Sequence, residues 1–264
     1  MATFESTALA RWIESLPSRR LSYRIYLGPE TIGPIAYLAS WQEHLKRNVV
    51  AGWVLTCVGG DETYSYVPTP LGDTLADRAS VAVLRDHYPT FQRYSFLDRG
   101  SDERQWASPN LGLPVCSVMR SKYGYPGYHT SKDNLELISP AGLGGALAVY
   151  KKLVLALEAN HVYRVTTGVG EPFMSKRNLY SSLSFTGSDE SAKVMMDLIA
   201  YTDGTRDLLA ACELAQISPL EGAKTAAMLV EVGILEPVLT TAHRGIGNSV
   251  GTRYRRFFGQ RVQK

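Results

Sequence analysis

Acidic side chains and one histidine flank three apolar runs of this sequence. They are Glu30 after residues 21–28, Asp61 and Glu62 after residues 49–59, Asp102 and Glu103 before residues 113–119, and His129 after the third run. Ligands of open α/β sheets collect beyond the carboxyl ends of the strands, so we expect these side chains to meet at one rim. Carboxylates around a histidine suit a metal-activated water, with a free carboxylate nearby to take its proton.

Each of these residues also has an ordinary structural interpretation. A glutamate at a strand end, such as Glu30, is commonly a solvated cap or a charge at a helix N-terminus, and Asp61 and Glu62 are typical loop charges. His129 lies in the loop YGYPGYHTSKDN, where it could simply form a hydrogen bond. Familiar metal spacings, such as H-E-x-x-H and paired C-x-x-C, are missing from the sequence. The residue types alone leave both interpretations open.

The elements that would position these residues alternate between strand and helix. The β-branched and aromatic runs at residues 21–28, 49–59 and 113–119 predict strands. Apolar residues at helical spacing predict helices at residues 34–48, 73–88 (with Asp73 as the N-cap) and 139–160. Strands separated by helices favour an α/β fold, with a mostly parallel sheet sandwiched by helices.

The chain changes character after a Gly/Pro/Ser-rich passage at residues 168–191. Helical periodicity then predicts three short amphipathic helices, followed by a strand-like run at residues 234–240. The third helix opens with Ser218 and Glu221 as a capping box and closes at Gly233. This order predicts a small C-terminal winged helix-turn-helix. The predicted organisation is an α/β domain at 1–165, a linker at 166–191 and a winged-helix domain at 192–264.

Composition bounds the class of protein. The chain has 264 residues, 45% hydrophobic and 20% charged, which is ordinary for a globular protein. A net charge of +3 does not by itself imply a nucleic-acid or membrane partner. Three widely spaced cysteines, Cys57, Cys116 and Cys212, argue for a reducing compartment. No run approaches the roughly 18 apolar residues that span a bilayer, and no signal sequence is evident, so we predict a cytoplasmic protein.

Residues 100–138 resemble the closing segment of the co-catalytic zinc aminopeptidases. That family has an S-D-H element, an apolar strand, then Y-H-T with D-N shortly after; Asp102, Leu113-Pro114, Tyr128 to Thr130 and Asp133 follow the same order. With PETIG upstream and a winged-helix tail, about residues 1–240 are more similar still to uncharacterised polysaccharide-biosynthesis proteins with an aminopeptidase-like domain.

The resemblance implies a phosphorylase/peptidase-like α/β fold and a role for each matching residue. Glu30 matches the general base that deprotonates a metal-bound water, and His129 matches a ligand of a zinc ion, of which the subfamily is expected to hold one. Asp102 matches a position with an expected loop-fixing role, and Glu103 replaces the usual histidine beside it. Tyr128 is expected to contact substrate or to fix its loop.

Departures from the family pattern lead us to expect impaired or absent hydrolysis. Thr31 stands where the parent enzymes have a second carboxylate ligand, and Thr56 aligns with a further aspartate. Two of the three zinc ligands expected for the subfamily would precede Met1, so the chain resembles an N-terminally truncated member. The alternative is a noncatalytic scaffold or regulator that acts through the winged helix.

Expected partners follow from these two hypotheses. An enzyme would take a peptide or an amide-containing small molecule, and a second copy or another protein would cover an exposed sheet edge. DNA binding is disfavoured and no DNA-binding residue is assigned, because the third winged-helix segment offers Lys224 against Glu221 and Glu231. The arginines after the wing are the alternative source of phosphate contacts: Arg244, Arg253, Arg255 and Arg256.

Overall fold

A computed structural model describes residues 2–174 and 189–238. The chain divides into two compact units. The first comprises Met1–Ser15 and Tyr23–Leu153, and the second comprises Leu16–Ser22 and Val154–Lys264. The predicted linker at 166–191 lies partly outside the described residues.

A four-stranded sheet forms the centre of the first unit. Its strands are β1 (Gly52–Val54), β2 (Ser65–Val67), β3 (Gln92–Arg93) and β4 (Val115–Met119), in the order β1-β4-β2-β3. β4 is parallel to β1, with Trp53 opposite Cys116, and β2 is parallel to β3. The contact between β2 and β4 is antiparallel. The α/β fold with a mostly parallel sheet is therefore as predicted.

Helices surround this sheet. They are α1 (Ala2–Ser15), α2 (Ile32–Asn48), α3 (Leu75–His87), the single turn α4 (Glu103–Trp106) and α5 (Pro140–Ala159), and two 3₁₀ turns lie at Phe96–Asp98 and Leu135–Leu137. All five residues of β4 are buried. A core cluster of Leu38, Leu45, Leu113 and Val115 joins α2 to the start of β4. This packing holds the residues just before α2 close to the loop that leads into β4.

The prediction of a strand at residues 21–28 was wrong. The segment is extended but forms no strand within the described chain. The N–H groups of Arg20 and Leu21 donate to the carboxylate of Glu158 instead, at 2.5 and 3.1 Å. Side chains of the segment pack along α2, where the Tyr26 and Tyr37 ring centroids are 4.8 Å apart. An apolar run of this kind can pack against a helix as well as join a sheet, so the sequence pattern did not distinguish these two arrangements.

Two local predictions also need correction. The N-cap of α3 is Thr74 rather than Asp73, because Thr74 and Asp77 form a reciprocal capping box. The short strands β2 and β3 were not predicted, since they carry only three and two residues. Such short runs have little periodicity to detect.

Within the described ranges, α5 is long and apolar enough to cross a membrane by length and composition. The evidence is weak, because the core helix of a folded domain passes the same test. Val149 and Leu153 of α5 are fully buried.

The second unit is a winged helix-turn-helix, as predicted. Helices α6 (Asp189–Ala200), α7 (Leu208–Ala215) and α8 (Pro219–Glu231) accompany the strands β5 (Val162–Val165), β6 (Asp203–Asp207) and β7 (Leu235–Pro237). The strands form an antiparallel sheet in the order β6-β5-β7. Ser218 caps α8 by accepting from the Glu221 N–H, and Gly233 has a φ of 71° just after the helix. The residues of β5, which the prediction included in the α/β domain without assigning them a strand, form the central strand of this sheet.

Candidate active site

A strained turn carries Glu30 at the start of α2. Thr31 has φ 65° and ψ −62°, and the N–H of Ile32 donates to the carbonyl oxygen of Glu30 at 2.8 Å. These values define a γ-turn of the rare, strained form. The Glu30 side chain is exposed, and its Oε1 accepts a hydrogen bond from Ser101 Oγ at 2.8 Å. Glu30 is therefore held at one carboxylate oxygen while it faces solvent.

The start of α4 contacts the Glu30 turn through further side chains. Asp102 Oδ1 accepts from the Thr31 N–H at 2.9 Å, and Arg104 Nη2 donates to Thr31 Oγ1 at 3.1 Å. Burial raises the pKa of Asp102, the Thr31 N–H opposes this, and the carboxylates of Glu30 and Glu103 raise it further. Three carboxyl groups therefore lie within electrostatic range of one another.

The Glu103 side chain is fully buried, and its carboxylate accepts hydrogen bonds from four donors. Its Oε1 accepts from the N–H groups of Gly100 and Ser101 and from Tyr123 Oη, at 2.8, 3.2 and 2.9 Å. Its Oε2 accepts from Ser117 Oγ of β4 at 3.2 Å. Burial and the Glu103 carboxylate raise the pKa of Tyr123, so the phenol stays a donor. Glu103 thus ties β4, the 100–104 turn and the tyrosine loop together.

The loop from residue 123 to 133 brings tyrosines and His129 to the same region. Tyr125 Oη donates to Asp133 Oδ1 at 3.1 Å, and the His129 N–H donates to Asp133 Oδ2 at 3.4 Å. The rings of Tyr128 and His129 are stacked, with centroids 3.9 Å apart. His129 is exposed and has a φ of 57°. Burial raises the pKa of Tyr128, and the nearby acidic groups, including Glu30 and Glu103, raise it further.

Cys57 follows β1 at the same rim. It has a φ of 49°, and its thiol is partly buried. Burial raises the pKa of this thiol, the Thr56 hydroxyl opposes that, and the carboxylates of Asp133, Glu30 and Glu103 raise it further. The protonated thiol is a poor nucleophile, so we assign no covalent chemistry to Cys57.

Several predicted site residues therefore approach one another, and others do not. Glu30, Asp102, Glu103 and Tyr128 lie at one rim, with His129 stacked on Tyr128. Asp61 is elsewhere, where it accepts a hydrogen bond from Ser139, the residue just before α5. Glu62 is exposed in the loop beside it.

Sequence reasoning missed three residues that shape this rim: Ser101, Arg104 and Ser117. A signal existed for Ser101 and Arg104, since they flank Asp102 and Glu103 in GSDER. Nothing in the sequence indicated that their partners are Glu30 and Thr31, because these contacts join residues 71 and 73 positions apart.

The described residues do not by themselves fit a zinc site. Across residues 2–174 and 189–238, no group of three His, Cys, Asp or Glu side chains is placed to hold a metal ion. A catalytic zinc normally has three protein ligands. The candidate ligand His129 has Asp133 close to its backbone, but its ring meets Tyr128. We therefore derive no chemical step through a metal.

Comparison with protein families shows which family this chain belongs to. Residues 3–160 match the family described as a domain of unknown function, DUF4910. The chain belongs to the DUF4910 family. Residues 161–237 match a family described as winged helix-turn-helix, in agreement with the second unit.

Named relatives of this DUF4910 chain have peptidase descriptions. A provisionally named polysaccharide biosynthesis protein with an aminopeptidase-like domain, from Clostridium acetobutylicum, is 36% identical over 205 residues, which is 77% of this chain and 46% of that protein. The crystal structure of a provisionally assigned peptidase from Clostridium acetobutylicum superposes with a TM-score of 0.79 at 32% identity, over 89% of this chain and 52% of the other.

The DUF4910 chain spans about half the length of these relatives. An aminopeptidase from Aneurinibacillus sp. strain AM-1 reaches a TM-score of 0.40 at 22% identity, over 47% of this chain and 29% of the other, which supports no inference. The resemblance to aminopeptidase-like proteins with a winged helix is thus confirmed.

Proposed function

We propose that this DUF4910 chain carries a metallopeptidase-like hydrolase site in which Glu30 is the general base. The observation that supports this most directly is the hydrogen bond from Ser101 Oγ to Glu30 Oε1. It orients the carboxylate while Glu30 stays exposed, so Oε2 can accept a proton from water. A solvated cap would need no such partner from a loop 71 positions away.

The proposed step is hydrolysis of an amide. Glu30 Oε2 takes a proton from water as the water oxygen bonds to the carbonyl carbon, and the same proton then goes to the leaving nitrogen as the carbon–nitrogen bond breaks. In zinc hydrolases generally, the metal ion polarises the carbonyl and acidifies the water. Because the described residues lack a three-ligand set, we propose that hydrolysis by this chain alone is slow.

The surroundings of Glu30 favour a substrate with a free ammonium group. Tyrosine rings attract cations over their faces, and the side chains of Tyr125 and Tyr128 lie close together, with ring centroids 5.1 Å apart. The carboxylates of Glu30, Asp102 and Asp133 add negative charge. Small peptides and aminoacyl amides have both the amide and the ammonium that this environment would select.

The test is hydrolysis of aminoacyl amides by the purified chain, with and without added zinc. Glu30→Gln should abolish any activity, because glutamine accepts no proton at neutral pH. Glu43→Gln is the matched control, since Glu43 is an exposed glutamate of α2. Equal activity of Glu30→Gln and the unchanged protein would reject Glu30 as the base.

A second function, a noncatalytic scaffold or regulator, is favoured by the surface of α8. Its exposed residues Glu221, Lys224, Met228 and Glu231 lie at spacings that place them on one helix face. Two carboxylates and one ammonium repel phosphates on balance, so we propose a protein partner rather than DNA. The arginines at 244, 253, 255 and 256 lie outside the described residues. Salt-dependent binding of duplex DNA would contradict this proposal, whereas the absence of DNA binding would support it.

A further inference from the structure

The turn at Thr31 is the most strained feature beside Glu30. Thr31 is β-branched, and a β-branched residue with a φ of 65° is a genuine backbone outlier. A residue in such a conformation persists only when its surroundings hold it there. Two backbone hydrogen bonds close the turn locally, from the Ile32 N–H to the Glu30 carbonyl oxygen and from the Gly33 N–H to the Pro29 carbonyl oxygen. Contacts from outside the turn restrain Thr31 further.

Two side chains at the start of α4 supply that restraint. Asp102 accepts from the Thr31 N–H at 2.9 Å, and Arg104 donates to the Thr31 hydroxyl at 3.1 Å. One contact fixes the backbone of Thr31 and the other fixes its side chain. Since Thr31 directly follows Glu30, rotation of this residue would redirect the Glu30 carboxylate.

Asp102 and Arg104, which we call the clamp on Thr31, are held by a rigid support. Glu103, between Asp102 and Arg104, is fully buried and accepts from the N–H groups of Gly100 and Ser101. It also accepts from Ser117 of β4, a strand of the central sheet. A side chain mounted in this way holds its neighbours to the sheet rather than to a mobile loop.

We propose that Asp102 and Arg104 are positioning residues, which together hold the γ-turn at Thr31 and thereby aim the Glu30 carboxylate. The structural part of this inference stands on the contacts of Thr31, while its effect on turnover rests on the proposed function of Glu30. Neither residue needs to touch substrate. A displacement of about 1 Å at a reacting group is enough to lower turnover by roughly 100-fold.

The first experiment is nuclear magnetic resonance of the Thr31 amide in the full chain. In the unchanged protein this amide proton should shift as pH is lowered and Asp102 becomes protonated. Asp102→Ala should move the resonance and remove the pH response. Asp102→Asn should keep much of the resonance position, because its side-chain oxygen still accepts, but should also lose the pH response. A Thr31 amide that is unchanged in Asp102→Ala overturns the proposal.

A second experiment tests whether the clamp acts by holding Thr31 in its strained conformation. Thr31→Gly accepts a positive φ without strain and removes the hydroxyl, so Arg104→Ala should have no further effect in that background. In the Thr31 protein, Arg104→Ala should lower kcat for aminoacyl amides by roughly 10-fold to 100-fold, with little change in KM. Arg99→Ala is the matched control, because Arg99 is exposed and its side chain donates to the carbonyl of Phe96 in its own turn.

The outcomes separate this inference from the proposed function. If the chain hydrolyses nothing, the Thr31 amide still decides whether the clamp exists, and only the function of Glu30 fails. If hydrolysis depends on Glu30 but Arg104→Ala and Asp102→Ala leave both kcat and the amide unchanged, the clamp is rejected and the function stands.

Discussion

Ser101 Oγ lies 2.8 Å from Glu30 Oε1, and this hydrogen bond joins two loops that are 71 positions apart in the chain. Ser101 is itself buried, and its own N–H donates to Glu103. The serine therefore connects a buried carboxylate to an exposed one. This relationship gives Glu30 a defined orientation in the absence of any ligand.

Replacement of Ser101 tests the value of that hydrogen bond. A hydrogen bond to a charged group contributes about 1.5–3 kcal/mol, so Ser101→Ala should lower Glu30-dependent hydrolysis by about tenfold or more. Ser101→Thr keeps a hydroxyl donor and should retain most of the activity. The measurement is kcat for an aminoacyl amide, and equal values for Ser101→Ala and Ser101→Thr would show that the hydroxyl has no role.

Removal of the Glu103 carboxylate should destabilise the first unit. Glu103→Ala leaves four donors without their acceptor, and each buried unsatisfied group costs about 1–3 kcal/mol. Since some of these donors can find water, we expect a loss of about 2–4 kcal/mol in the free energy of unfolding, measured in urea. Glu136→Ala, at an exposed glutamate, should change stability by less than about 0.5 kcal/mol. Equal stability of the two variants would contradict this role.

The pH dependence of stability should reveal Glu5. This carboxyl of α1 is 1% exposed, and neither oxygen has a hydrogen-bond partner within the described chain. Burial raises its pKa above the ordinary value of 4.5, while Lys151 opposes the shift. The folded state therefore binds the proton more tightly than the unfolded state, so the carboxyl favours folding below its ordinary pKa and loses that contribution as pH rises through the raised value.

Glu5→Met should remove this dependence. Because the ionised carboxylate is disfavoured in the folded state, the variant should have the higher Tm at pH 7, and the difference should shrink at pH 4. Glu14→Met, at an exposed position of the same helix, is the control. Thermal unfolding between pH 4 and pH 8 makes the comparison. A variant with a lower Tm at pH 7 would show that an interaction in the folded protein stabilises the ionised Glu5 carboxylate.

Metal content tests the predicted role of His129. We expect the purified chain to hold less than one equivalent of zinc, and any bound zinc to fall in His129→Ala. The physical reason is that a catalytic zinc needs three ligands, which the described residues do not bring together. Elemental analysis makes the measurement, with His44→Ala as a control at another exposed histidine. Stoichiometric zinc that survives in His129→Ala would reject His129 as a ligand.

Much of the local structure was predictable because its causes lie within a few residues. Apolar periodicity and capping residues placed α2, α5 and α8 to within about two residues, which is the usual uncertainty of helix ends. The same reasoning located β4 and the winged helix-turn-helix. Where a run had two physical solutions, prediction failed: residues 21–28 pack along α2 instead of joining the sheet.

The sequence by itself determined which chemical groups are available and the order of the motif around Asp102 and His129, and both led to the aminopeptidase-like family. Only the tertiary structure decided how these groups are held. The contacts of Asp102 and Arg104 with Thr31, and the hydrogen bond from Ser101 to Glu30, join positions more than 70 residues apart. Such contacts depend on how the 100–104 turn is mounted on β4 through Glu103. No local residue pattern predicts these contacts, because they arise from tertiary packing and not from the conformational preferences of neighbouring residues.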